Sequence, residues 1–131
     1  MPTSAECVLF VDDDEDVREA AQQTLELADI YVEVFGTAAA ALDRIKNGWP
    51  GIVISDIRMP KMDGLELLAE VKKYDAEMPV ILVTGHGDVA TAVQAMHDGA
   101  FDFIEKPYAP DLFIDIARRA MSHRALVLEN R

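Results

Sequence analysis

The feature that most constrains this chain is an alternation between two kinds of apolar segment. Short runs rich in Val, Ile, Leu and Phe occur at Val8–Val11, Val32–Phe35, Ile52–Ile54, Val80–Val83 and Phe101–Ile104. They lack strict polar alternation, as expected for strands covered on both faces. Between them, apolar residues recur at three and four. Val17, Ala20, Ala21, Thr24, Leu25 and Ala28 form one such set, and Ala38, Ala41, Leu42 and Ile45 another. Leu65, Leu68, Ala69 and Lys72 follow the same spacing, as do Val89, Ala92, Val93 and Met96, giving the one-sided stripe of an amphipathic helix. Five strands alternating with five helices predict an α/β fold, a doubly wound sandwich with a parallel sheet and right-handed crossovers. Asp63 with Glu66 three residues on predicts a capping box, and Thr37 and Asp88 are placed as further N-caps. Gly48 and Gly99 fall where a helix end favours a left-handed residue.

Size and charge narrow the function. The 131 residues suit one domain with a sizeable core. With 12 Lys+Arg against 24 Asp+Glu the net charge is −12, so the chain lacks the basic footprint that nucleic acid or an anionic membrane requires. Half the residues are hydrophobic and arranged in periodic blocks, which is not the composition of a disordered acidic tail. The lone Cys7 has no internal disulfide partner and reads as a packed thiol in a reducing cytoplasm. Met1–Glu6 shows no signal-like pattern, and no apolar run reaches membrane-spanning length. The expected location is cytoplasmic.

In such a sheet ligands bind beyond the carboxyl ends of the strands, and the chemistry concentrates there. Asp12-Asp13-Asp14 follow the first run, Asp56 the third, Thr84-Gly85 the fourth and Glu105-Lys106-Pro107 the fifth. Asp14, Glu15 and Asp16 read as a solvated run at a helix N-terminus. Asp12 and Asp13 alone suit either capping or cation binding, and Asp56 on a neighbouring strand favours the cation. Carboxylates packed together repel unless a cation or a raised pKa relieves them, and an incomplete oxygen cage suits Mg²⁺. A carboxylate there can act as a nucleophile on phosphorus, with Lys106 as a positive charge and Thr84 as a hydroxyl donor to phosphoryl oxygens.

These motifs resemble the receiver domains of two-component response regulators. The match lies in Val11-Asp12-Asp13, Ser55-Asp56, Met59-Pro60, Asp63-Gly64, Val83-Thr84-Gly85 and Lys106-Pro107, with 43 residues from Asp13 to Asp56, 28 on to Thr84 and 22 on to Lys106. The resemblance covers residues 6–124 and implies the flavodoxin-like (βα)5 fold with strand order 2-1-3-4-5. It implies Asp56 as phosphoacceptor for a sensor histidine kinase. It also implies Mg²⁺ held by Asp13, Asp56 and the backbone carbonyl of Arg58, with Asp12 acting largely through water. Thr84 and Lys106 would contact the phosphoryl group, Thr84 and Phe103 would switch conformation, and Arg58 and His86 would tune hydrolysis. Phe103 stands where Tyr is commoner, so a permanently buried core aromatic is the competing reading. A cis peptide is expected before Pro107, an X-Pro bond being where that isomer is cheap. Catalysis would be confined to phosphotransfer and autophosphatase activity. His97 and His123 do not combine with His86 at metal-ligand spacing.

The segments Val83–Asp88, Ala92–Met96 and Gly99–Pro107 are similar to receivers of NtrC-type activators working with sigma-54 RNA polymerase, dicarboxylate-transport regulators above all. Residues 125–131 then resemble the start of a helical linker to an ATPase output domain. Asp111–Arg131 contains no Gly or Pro and, fully helical, would run about 31 Å. Ile114, Met121 and Leu128 recur every seven residues, with Arg118 and Arg124 interrupting the stripe. That pattern suits either a short two-helix seam or an ordinary last helix with a frayed tail. A homodimer through the fourth helix, fifth strand and fifth helix, or through the linker, is the expected assembly. A stand-alone chemotaxis-like receiver is the alternative. A haloacid-dehalogenase-like phosphatase would use Asp12 and Asp14 but gives Asp56 no role, and a flavodoxin-like binding module would place an anion against three Asp.

Overall fold

The computed structural model describes residues 7–45, 49–85 and 88–131. The strands are β1 (Cys7–Val11), β2 (Tyr31–Phe35), β3 (Ile52–Asp56), β4 (Val80–Thr84) and β5 (Asp102–Glu105). They alternate with helices α1 (Glu15–Leu27), α2 (Ala38–Leu42), α3 (Gly64–Tyr74), α4 (Val89–His97) and α5 (Pro110–Glu129). All pairings are parallel and the order is β2-β1-β3-β4-β5, as the alternation and the resemblance imply. The fifth strand is shifted by one residue from its apolar run, because Phe101 donates its N–H to the Val80 carbonyl from just outside the ladder.

Side chains alternate across the pleat and so build two cores. Val8, Phe10, Ile52, Ile54, Ile81 and Val83 pack against Leu25 of α1 and Phe113, Ile116 and Ala120 of α5. Leu9, Val11, Val53 and Leu82 face the other way, onto Ala41, Leu67, Val71, Ala92 and Ala95 of α2, α3 and α4. The three central strands are buried at every position, which explains their lack of polar alternation.

Local signals place the helix ends. Asp14 caps α1, accepting from the N–H groups of Asp16 and Val17, and Thr37 caps α2 by accepting from Ala40. Asp63 and Glu66 form both halves of a capping box on α3. Gly99, after α4, has φ +105°, the conformation expected for it. The other predicted helix-ending glycine, Gly48, lies outside the described residues. Asp88 departs from expectation: it occupies the N-cap position of α4 but makes no side-chain cap bond. Its carboxylate is engaged by Arg58 instead. Arg124 does not interrupt the apolar face of α5, since it is fully buried on that face with polar partners. Among the described residues no helix is long and apolar enough to cross a membrane.

Candidate functional site

The carboxyl ends of β1 and β3 deliver three acids to one place. Oxygen atoms of Asp12, Asp13 and Asp56 all lie within 4.8 Å of one another. Asp12 is held by its main chain: its N–H donates to the Phe35 carbonyl, and its own carbonyl accepts from Arg18 Nη1 at 2.8 Å. One carboxylate oxygen, Oδ1, accepts from the Asp14 N–H at 2.9 Å. The other, Oδ2, is buried without a hydrogen-bond partner. Burial pushes the Asp12 carboxyl above its ordinary range; the Asp14 N–H opposes this, the Asp56 charge adds to it, Lys106 opposes and Asp13 adds. Asp13 is exposed and Asp56 is 9% exposed, so the cluster opens to solvent on the Asp13 side.

Lys106 supplies the positive charge, with Nζ 3.4 Å from Asp56 Oδ2 and 3.7 Å from Asp12 Oδ2. Its backbone N–H donates to the Thr84 carbonyl at 2.8 Å, tying the ends of β4 and β5 together. Thr84 is fully buried and its hydroxyl oxygen has no hydrogen-bond partner. Two buried polar atoms lacking partners at one pocket are costly in a native fold and point to a ligand that satisfies them. An oxygen-rich set with an orphaned carboxylate oxygen fits a hard divalent cation. Asp14, by contrast, is exposed and uses its carboxylate oxygen Oδ1 to cap α1.

Gly64 fixes the approach of α3 to this pocket. A Cβ there would lie 2.4 Å from the Asp56 carbonyl oxygen and 2.8 Å from Ile57 Cα. Only glycine admits the hydrogen bond from its N–H to the Ile57 carbonyl at 2.8 Å.

Residues 8–118 match the response regulator receiver domain family. The chain belongs to that family. Among curated relatives it is 54% identical over 129 residues to the C4-dicarboxylate transport transcriptional regulatory protein DctD of Rhizobium meliloti, covering 98% of this chain and 28% of that protein. It is 39% identical over 116 residues to the DNA-binding transcriptional regulator NtrC of Escherichia coli, covering 88% and 25%. The crystal structure of NtrX from Brucella abortus superposes with a TM-score of 0.85 at 38% identity, covering 94% of this chain and 28% of that one. The receiver thus spans little more than a quarter of these relatives, and the expected kinship with NtrC-type and dicarboxylate-transport regulators is met.

The Arg58 guanidinium donates to the Asp88 carboxylate, with hydrogen bonds of 2.8 and 2.6 Å. Beside the acids, a groove of about 520 Å³ between the β3–α3 loop and α4 is lined by this pair with Met59, Pro60 and Leu65, and none of the three acids lines it. Phe103 is half-buried against the α2–α4 side of the sheet. The Lys106–Pro107 peptide is cis. His86 lies outside the described residues. The sequence reading missed Arg18, which no local spacing marks, and Tyr108. Tyr108 stacks on Phe113 at 5.0 Å, and its phenol is pushed up by burial and by the charges of Asp12 and Asp56.

Proposed function

We propose that this receiver is a phosphorylation-dependent switch that takes a phosphoryl group from a sensor histidine kinase onto Asp56. What supports the reading above all is the pair of buried oxygens without a hydrogen-bond partner, Asp12 Oδ2 and Thr84 Oγ1, at the strand ends on either side of Asp56. In the transfer, an Asp56 carboxylate oxygen attacks phosphorus and the P–N bond to the kinase imidazole breaks. The bonding pair leaves on that nitrogen, which takes up a proton, and an aspartyl acyl phosphate remains. Lys106 passes from the Asp56 carboxylate to a phosphoryl oxygen, and the Thr84 hydroxyl donates to another. Asp13, Asp56 and the carbonyl of Arg58 would hold Mg²⁺ directly, and Asp12 largely through water; when bound, the cation neutralises phosphoryl and carboxylate charge. Arg58 and His86 tune the later attack of water that returns Asp56 to a carboxylate.

The phosphoryl charge is felt directly over only about 8 Å at physiological salt, so the domain must convert it into a surface change. Thr84 moves toward the phosphoryl group and Phe103 turns inward behind it. The face made by α4, β5 and α5, or the linker, then pairs with a second copy. Residues 6–124 are the switch and 125–131 begin a helical linker to an ATPase domain of a sigma-54-type transcription activator in the cytoplasm. DNA contact belongs to that larger protein, since this domain carries the net charge of −12. Sedimentation with and without the phosphoryl mimic beryllofluoride tests the switch. The expected result is a rise in dimer that Asp56→Ala abolishes; an unchanged distribution, or the same rise in the variant, contradicts it.

A further inference from the structure

At the amino-terminal ends of the strands, opposite the acidic pocket, two arginines converge on one carboxylate. Arg124, on α5 and fully buried, donates to the Trp49 carbonyl through Nε at 3.2 Å and Nη2 at 2.6 Å, and to Asp75 Oδ2 at 2.8 Å. Arg131 donates to both Asp75 oxygens, at 2.9 and 2.6 Å, and to Glu77 Oε1 at 2.9 Å. The Arg131 and Arg124 guanidiniums hold the Asp75 carboxyl well below the usual carboxylate range. Arg124 lies on the α5 face that carries Ala117, Ala120 and Met121 into the core, and Arg131 follows the Asn130 C-cap just past the end of the helix. The last turn of a helix frays when it lacks tertiary contacts. Here that turn is fastened, with Val127 and Leu128 half-buried and Leu126 left 59% exposed.

We propose that Asp75 and Glu77 form an acidic clasp in the α3–β4 turn that receives Arg131 and straps residues 125–131 along the flank of the domain. The clasp fixes the direction in which the chain leaves the receiver, and it deepens the reading of this segment as the start of a linker. It has two tiers. Arg124 is sealed with the fold, whereas the Arg131 and Glu77 side chains are 35% and 57% exposed, so the outer tier can open without uncovering the core. Opening releases Leu128 from the flank, a step that any two-helix seam through this segment requires.

Amide hydrogen exchange on the unphosphorylated chain tests the strap. In Arg131→Ala, the amides of Leu126 to Asn130 are expected to exchange about tenfold faster, with β4 amides unchanged. Glu77→Gln, at the exposed rim, moves the same amides in the same direction by a smaller factor and guards against a variant that misfolds. In the wild type, 1 M salt, with its screening length of about 3 Å, produces the same loosening and adds nothing in Arg131→Ala. A change below about twofold in Arg131→Ala, or loosening by salt that is equal in the variant, overturns the proposal. No phosphoryl transfer enters the measurement, so its failure is distinct from failure of Asp56 as acceptor.

Discussion

Arg58 and Asp88, thirty residues apart, are joined by two hydrogen bonds, Nε to Oδ2 at 2.8 Å and Nη2 to Oδ1 at 2.6 Å. The pair ties the loop after β3 to the residue before α4, so α4 is anchored to that loop rather than capped by its own leading acid. Losing either end should free the same element. Asp88→Ala and Arg58→Ala are each expected to raise amide exchange in the first turn of α4 by about tenfold, and the double variant no further. Additive effects would show that the two side chains act independently.

Gly64→Ala should disturb both stability and site. The added Cβ meets backbone atoms of Asp56 and Ile57 at 2.4 and 2.8 Å, not a flexible side chain. Urea unfolding is expected to show a loss of about 2 kcal/mol or more, and phosphoryl incorporation should fall with it. An unchanged midpoint would mean that α3 can back away from the pocket.

The acid cluster should be a source of instability without a cation. Asp12→Asn keeps an oxygen for the Asp14 N–H and removes a buried charge facing Asp56 and Asp13. Cation-free protein should gain on the order of 1 kcal/mol. Added Mg²⁺ should raise the wild-type Tm in a concentration-dependent way and raise the variant's less. Thermal melts across a Mg²⁺ titration check both.

Acid should act on Asp75. Its folded carboxyl lies below the ordinary value because Arg131 and Arg124 bind it. Its contribution is therefore complete above the unfolded pKa of about 3.9 and is lost as pH falls toward the lower folded value. Urea midpoints between pH 5 and pH 2.5 should drop more in the wild type than in Asp75→Asn. Equal drops would contradict the pairing.

The parts of this fold that could be read from the sequence are those set by neighbours in the chain. Val8–Val11 and Val80–Val83 announce buried strands, and Asp12, Asp13, Asp56, Thr84 and Lys106 stand out because each ends one or follows it. Asp63 and Glu66 make their capping box within four residues. What escaped was set by partners far away. Asp88 was expected to cap α4, but Arg58 takes its carboxylate across thirty residues. Arg124 looked like a break in an apolar stripe, yet Asp75, 49 residues earlier, lets that charge be buried. Arg18 reaches the Asp12 carbonyl from the first turn of α1, a contact that no periodicity marks.

Intact mass after incubation with acetyl phosphate and Mg²⁺ tests Asp56 most directly. The wild type should gain the mass of one phosphoryl group, and Asp56→Ala, folded by circular dichroism, should gain none. No gain in the wild type, or a gain that survives Asp56→Ala, would contradict the assignment of Asp56 as the acceptor.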